Sequence, residues 1–168
     1  HTALALGGPF AIRYPRGAAE GVPLPEQPRV LEEGKARVMR EGDDAAILAF
    51  GRMVPRALGA AELLAERGIE ARVVDMRWAK PLDAHEIARA AQTKLLVTVE
   101  GGVIEGGVGE GVLGELARQG LSAPALTLGI PDRFVPQGKS DDLLCDLGLD
   151  AEGIAASVER RLASSNPF

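Results

Sequence analysis

A chain of 168 residues with 24 acidic and 19 basic side chains, a formal net charge of −5, lacks the basic face that nucleic-acid binding uses to replace phosphate counterions. Hydrophobic residues make up 46% but aromatics only 4%, so one α/β domain of this length must build its core from Ala, Val, Leu and Ile. No apolar run reaches the roughly 18 residues of a membrane span, residues 1–10 have neither the basic region nor the cleavage pattern of a secretory signal, and the single cysteine, Cys145, fits a reducing cytoplasm.

In chain order, residues 1–6 read as the tail of a helix closed by Gly7-Gly8. A chain that opens in mid-element without an initiator Met is expected to be a proteolytic or engineered fragment. Residues 10–14 read as a short strand, stopped by Pro15 and followed by Arg16-Gly17. Pro23, Pro25 and Pro28, among several Glu and Gly, make 18–34 a stiffened linker with no face to bury. The domain boundary is expected there, with 1–17 the tail end of a preceding domain and 35–168 a domain of its own.

From Lys35 strands and helices alternate. Residues 35–40 suit a polar edge strand and 45–50 a buried one. Val54, Leu58, Ala61 and Ala65 have helical spacing over 54–67, closed by Gly68. Residues 71–76 form the next strand. Asp83 caps a helix to about Gln92, with Glu86 completing a capping box. A strand at 95–99, a glycine-rich stretch, a helix near 109–118 and a strand at 125–130 follow. Two short helices, capped by Ser140 and Asp150, close the chain, the last with Ile154, Val158 and Leu162 on one face. This order predicts a three-layer α/β/α sandwich around a mostly parallel five-stranded sheet with one antiparallel edge strand.

Few residues suggest chemistry. Gly101, Gly102, Gly106, Gly107, Gly109, Gly111 and Gly114 include a formal match to the dinucleotide fingerprint at 109–114. That motif requires its first glycine directly after the strand, whereas here it falls nine residues past Glu100. Tight turns and close helix–sheet packing are the favoured reading; a nucleotide- or anion-binding module using loop 101–111 is the alternative. Arg13 and Arg16 flank Tyr14-Pro15 at a strand end, where a guanidinium suits a phosphate or carboxylate, although most arginines are structural. His85 reads as a solvated helix-turn residue with no partner at metal-ligand spacing. Cys145, beside Leu143, Leu144 and Leu147, reads as buried and inert.

Four strings carry a resemblance. Gly8-Pro9-Phe10-Ala11-Ile12-Arg13-Tyr14-Pro15-Arg16-Gly17 looks like the closing strand of the pyrimidine-binding domain of 1-deoxy-D-xylulose-5-phosphate synthases, of the transketolase family. Asp75-Met76-Arg77-Trp78-Ala79-Lys80-Pro81-Leu82-Asp83, Leu96-Val97-Thr98-Val99-Glu100 with the Gly106-Gly107-x-Gly109 turn, and Gly129-Ile130-Pro131-Asp132-Arg133-Phe134-Val135-Pro136-Gln137-Gly138 are similar to successive strings of that family. The resemblance spans about residues 8–160. It implies a homodimeric, cytoplasmic transferase that condenses pyruvate with D-glyceraldehyde 3-phosphate, losing carbon dioxide, and feeds isoprenoid, thiamine and pyridoxal biosynthesis. It also implies thiamine diphosphate and Mg2+ held by parts of the polypeptide absent from this chain, since Gly42-Asp43-Asp44 lacks the family's closing glycine. By resemblance Arg16 contacts the substrate phosphate, Arg13 and Tyr14 are structural, and residues from 35 onward supply packing and dimer interface without a catalytic side chain. Glu100-Gly101-Gly102 departs from the Glu-Glu-Asn common in relatives.

Overall fold

The computed structural model describes residues 1–15, 21, 23 and 25–164. Five strands, β1 (Arg37–Arg40), β2 (Ala45–Ala49), β3 (Ala71–Asp75), β4 (Leu95–Val103) and β5 (Ala125–Ile130), form one sheet in the order β1-β3-β2-β4-β5. β1 runs antiparallel to β3, and all other pairings are parallel. Helices α2 (Val54–Glu66), α3 (Ala84–Ala90), α4 (Val108–Arg118), α5 (Ser140–Asp146) and α6 (Ala151–Ser164) follow α1 (Thr2–Leu6) in the chain. The expected mixed, mostly parallel α/β sandwich is therefore the one observed.

Side-chain alternation along the strands separates two apolar layers. Ile47, Val73, Leu95 and Val97 face the side carrying α2 and α6, with Ala57, Ala60, Ala61, Leu64, Ile154 and Val158. Leu48, Val74, Met76 and Leu96 face the side carrying α3 and α4, with Ile87, Ala90, Val112 and Leu116. Every residue of the central strand β2 is buried, as a parallel strand covered on both faces requires. α2 buries Val54, Ala57, Ala60, Ala61 and Leu64, a face turned from the expected stripe so that small alanines meet the sheet. Leu58 and Leu63 remain partly buried at its edges.

Polar ties close the amino ends of the parallel strands. Asp44 accepts from Lys94 Nζ at 2.7 Å and from the Glu70 amide at 2.8 Å, joining the approaches to β2, β4 and β3. Those two donors, the lysine first, hold the Asp44 carboxyl below the usual carboxylate range. Under α3, Arg72 donates to Glu86 Oε2 at 2.6 Å and also pairs with Glu41. The capping box is consequently half made. Asp83 Oδ1 accepts from the Glu86 amide at 3.2 Å, but the Glu86 side chain turns to Arg72 and Asp83 Oδ2 receives the Ala36 amide at 3.0 Å.

Two further expectations are corrected. Residues 10–14 form no strand: among the described residues no backbone hydrogen bond pairs them with the sheet, and Arg13 reaches Gly101 of β4 through its side chain. Ser140 is not the cap of α5: its hydroxyl accepts from Arg52 Nη1 at 2.8 Å, and Lys139 takes the cap position. Asp150 does cap α6, with Oδ1 accepting from the Gly153 amide at 2.9 Å, and that helix is longer than expected.

Arg72→Met takes from the buried Glu86 its hydrogen-bonded cation, leaving Arg89 at 3.7 Å, and should lower stability by about 2–3 kcal/mol, whereas Arg72→Met with Glu86→Leu should recover most of the loss; denaturant unfolding of both variants checks this. Folding lowers the Asp44 pKa, so its ties add stability above about pH 4, where the unfolded carboxyl is ionised. They lose it as pH falls through the depressed folded value. Asp44→Asn should therefore narrow the stability difference between pH 6 and pH 3, measured by urea unfolding at each pH.

Candidate functional site

In open α/β sheets the ligand-facing crevice lies beyond the carboxyl ends of the parallel strands. At that end β4 runs past the expected stop at Val99 to Val103, through Gly101 and Gly102. Leu96, Thr98 and Glu100 alternate onto the α4 side, which leaves Glu100 only 4% exposed beneath the glycine loop. Its Oε1 accepts from the Gly109 amide at 2.8 Å. The first-turn N–H groups of a helix have no intrahelical acceptor, and Gly107 at the cap position has no side chain to offer one. Glu100 supplies that acceptor from the neighbouring strand and places negative charge at the positive end of the helix dipole.

This close approach explains two of the glycines, Gly107 and Gly109. A Cβ on Gly107 would stand 2.5 Å from Glu100 Oε1 and collide with the Val103 carbonyl, and one on Gly109 would stand 2.6 Å from Thr98 Oγ1. The Gly106 amide donates to Glu110 Oε2 at 2.9 Å. Two amides of the loop thus point at protein carboxylates, the opposite of an anion cradle. Packing, the favoured reading of the glycine cluster, is what the geometry supports.

The segment around residues 10–13 lies against the same edge. Arg13 Nη2 donates to the Gly101 carbonyl at 3.0 Å. The Phe10 ring meets Trp78 edge-on, with centroids 5.6 Å apart and planes at 73°. Trp78 is itself buried in the turn after β3, where Arg77 has a φ of 56° and its amide donates to Asp75 Oδ1 at 3.1 Å. Farther along, Thr2 Oγ1 accepts from the Leu31 amide at 3.0 Å. Arg16, the expected phosphate contact, lies outside the described residues.

Other candidates fall away from this edge. His85 is exposed on α3, with Nδ1 3.5 Å from Glu86 Oε1. Cys145 is exposed on α5, not buried, because Leu144 takes the inward position of that turn. The Asp150 carboxylate pushes its thiol pKa up, which disfavours the reactive thiolate. Arg52 and Arg56 both reach Asp141, at 3.5 and 2.6 Å. Among the described residues no group of three or more His, Cys, Asp or Glu side chains is placed to hold a metal. The glycine loop, facing Glu100 and Glu110, does not suit a diphosphate. A cleft of about 200 Å3 lined by Gly42, Asp43, Arg72, Arg89, Gln92 and Thr93 lies at the amino ends of the strands, remote from this edge.

Sequence reasoning missed Glu100 and the Phe10–Trp78 contact. The available signals were an acid ending an apolar strand just before a glycine run, and the single tryptophan standing in a loop.

A mostly parallel five-stranded sheet with one antiparallel edge strand and helices on both faces defines a class of α/β sandwich. Over residues 34–154 the sequence matches the family "Transketolase, C-terminal domain", and the chain belongs to it. More particularly, it is 47% identical over 165 residues to "1-deoxy-D-xylulose-5-phosphate synthase 1" of Geobacter sulfurreducens and 48% identical over 164 residues to the 1-deoxy-D-xylulose-5-phosphate synthase of Chromobacterium violaceum. Each match covers 97% of this chain and 26% of the relative, so the chain spans about a quarter of the length of these proteins. A solved "Split gene transketolase, inactive beta4 tetramer" is 36% identical with a TM-score of 0.75, over 85% of this chain and 47% of that one. A mutant transketolase from Pichia stipitis, 16% identical with a TM-score of 0.55 over 80% of this chain and 19% of that one, shares the fold alone.

Glu100→Gln keeps an acceptor for Gly109 but removes the charge and should cost about 1 kcal/mol. Glu100→Ala leaves the buried amide unsatisfied and should cost about 2–3 kcal/mol. Thermal and denaturant unfolding of the two variants should rank them in that order.

Proposed function

We propose that this chain is the C-terminal part of a 1-deoxy-D-xylulose-5-phosphate synthase, a thiamine-diphosphate- and Mg2+-dependent transferase. That enzyme condenses pyruvate with D-glyceraldehyde 3-phosphate, releases carbon dioxide and forms 1-deoxy-D-xylulose 5-phosphate for isoprenoid, thiamine and pyridoxal biosynthesis. The observation that carries the reading is the identity of 45–48% to synthases of that name over 96–97% of the chain, segment 8–17 included. In this reading residues 1–17 end the pyrimidine-binding domain, 18–34 link the domains and 35–168 form the C-terminal domain of a cytoplasmic homodimer.

The chemistry of the chain agrees with a supporting role. The carboxylates of Glu100 and Glu110 face glycine amides and that of Asp141 faces Arg56, which suits structural roles for these three groups. Thiamine diphosphate would supply the carbanion chemistry, and both it and Mg2+ would be held by the preceding domains. This chain would contribute packing against those domains, dimer interface and, through Arg16, a guanidinium for the phosphate of the aldehyde substrate. Several large apolar side chains are exposed, among them Ile12 and Tyr14 on the N-terminal segment, Val103 ending β4 and Phe134 beyond β5. Such a surface suits cover by the rest of the polypeptide.

The test is to express this chain with the preceding three-quarters of the enzyme and assay pyruvate- and glyceraldehyde-3-phosphate-dependent release of carbon dioxide. Carboligation should appear with the two parts together and with the joined polypeptide, and this chain alone should be inactive. Two folded, associated parts that form no 1-deoxy-D-xylulose 5-phosphate would contradict the reading. In the joined enzyme Arg16→Ala should raise the KM for glyceraldehyde 3-phosphate by about a hundredfold, the scale of a lost charge-assisted phosphate contact, and leave the pyruvate KM unchanged.

A further inference from the structure

From two side-chain contacts we infer that residues 10–13 are an interdomain strap: Phe10 and Arg13 fasten the C-terminal domain to the domain that precedes it. This deepens the functional reading above and rests on it for the identity of the preceding domain. The match to the C-terminal domain family begins at residue 34 and the sheet at Arg37, so residues 10–13 lie outside the domain they touch. Arg13 Nη2 donates to the Gly101 carbonyl at 3.0 Å, across 88 residues of sequence, and the Phe10 ring meets Trp78 edge-on with centroids 5.6 Å apart. Among the described residues no backbone hydrogen bond joins the segment to the sheet, so side chains carry the docking.

The two ties straddle the middle of the sheet. Trp78 stands in the turn after β3, Gly101 lies in β4, and β2 separates those strands in the order β1-β3-β2-β4-β5. Two inter-strand steps amount to about 10 Å, and the backbone from Phe10 to Arg13 reaches at most about 10 Å when extended. A segment of this length fits the gap when drawn out. Pinned at both ends, it can neither slide along the sheet nor turn about a single contact. Both receiving points are stiff: Trp78 is buried, and Gly101 follows Glu100, which is buried and bonded to the first turn of α4. Charge strengthens the second tie. A Cβ on Gly102 would stand 2.8 Å from Glu100 Oε2 and 3.5 Å from Arg13 Nη1, so the guanidinium and the buried carboxylate flank the same glycine. The negative charge there draws the arginine to the place where the carbonyl receives it. Phe10 adds apolar contact in the edge-on geometry that aromatic quadrupoles favour. A tie of either kind gives about a three- to tenfold preference for the docked state, so one alone holds the segment loosely and the two together hold it closed.

Trp78 is the chain's single tryptophan, so its fluorescence reads the strap directly in this 168-residue chain. Acrylamide quenching compares the parent with Arg13→Ala, Arg13→Lys, Phe10→Leu and the double variant Phe10→Leu with Arg13→Ala, with melting temperatures alongside. Phe10 and Arg13 are exposed, so the sheet should stay folded in all four. Arg13→Ala is the deciding variant, because Arg13 binds Gly101 and its loss reaches the indole only by releasing Phe10. It should raise the quenching constant of Trp78, Arg13→Lys should restore part of the protection, and the double variant should raise the constant about twofold, as an evenly divided docked and open population requires. Quenching left unchanged by Arg13→Ala in a folded protein overturns the strap, and the functional reading stands, since nothing in this measurement depends on carboligation. In the joined enzyme, hydrogen exchange over residues 76–82 and 100–103 should be faster in the double variant than in the parent, with β2 equally protected in both. Equal exchange in the two would overturn the interdomain role. A joined polypeptide that folds but forms no 1-deoxy-D-xylulose 5-phosphate overturns the functional reading, and the interdomain role with it.

Discussion

The carboxylate of Glu100, buried where β4 leaves the core, accepts the Gly109 amide at the start of α4 and so joins strand, loop and helix at one point. A glycine-rich helix start has little intrinsic order, because glycine gives up more backbone freedom on folding than any other residue. Without an acceptor beneath it, that turn would fray. With it, the loop closes so tightly that Gly107 and Gly109 admit no side chain. The same residue precedes the carbonyl that receives Arg13, so the docking of residues 10–13 depends on the same buried group.

The two ends of the sheet divide the work. At the amino ends, Asp44, Lys94, Arg72, Glu86 and Glu41 tie loops to strands through ion pairs that neutralise one another locally. At the carboxyl ends, backbone amides and carbonyls are the main partners, and apolar side chains remain exposed. The first end is closed on itself. The second keeps apolar side chains at its surface.

Much of the fold was legible because strands 45–49, 71–75 and 125–130 are short apolar runs between turn residues, and α6 repeats its apolar residues at helical spacing. What was not legible depended on partners distant in sequence. Glu86 reads as a capping-box acid until Arg72 from the neighbouring strand claims it, and Ser140 reads as a cap until Arg52 does. The extension of β4 through Gly101-Gly102 leaves no side-chain pattern to read. Residues 10–14 have strand composition but no neighbour to pair with along their length. At the candidate site the glycines were visible and their cause was not, since Glu100 lies nine residues before the amide it binds.

Amide hydrogen exchange at Gly109 tests the central role of Glu100 most directly. First-turn amides of a helix ordinarily exchange by local fraying, at rates near those of open loops. If the Glu100 carboxylate holds this turn, Gly109 should exchange as slowly as the amides of β4, through global unfolding alone. Exchange of Gly109 at the rate of an exposed loop, with β4 still protected, would contradict the account.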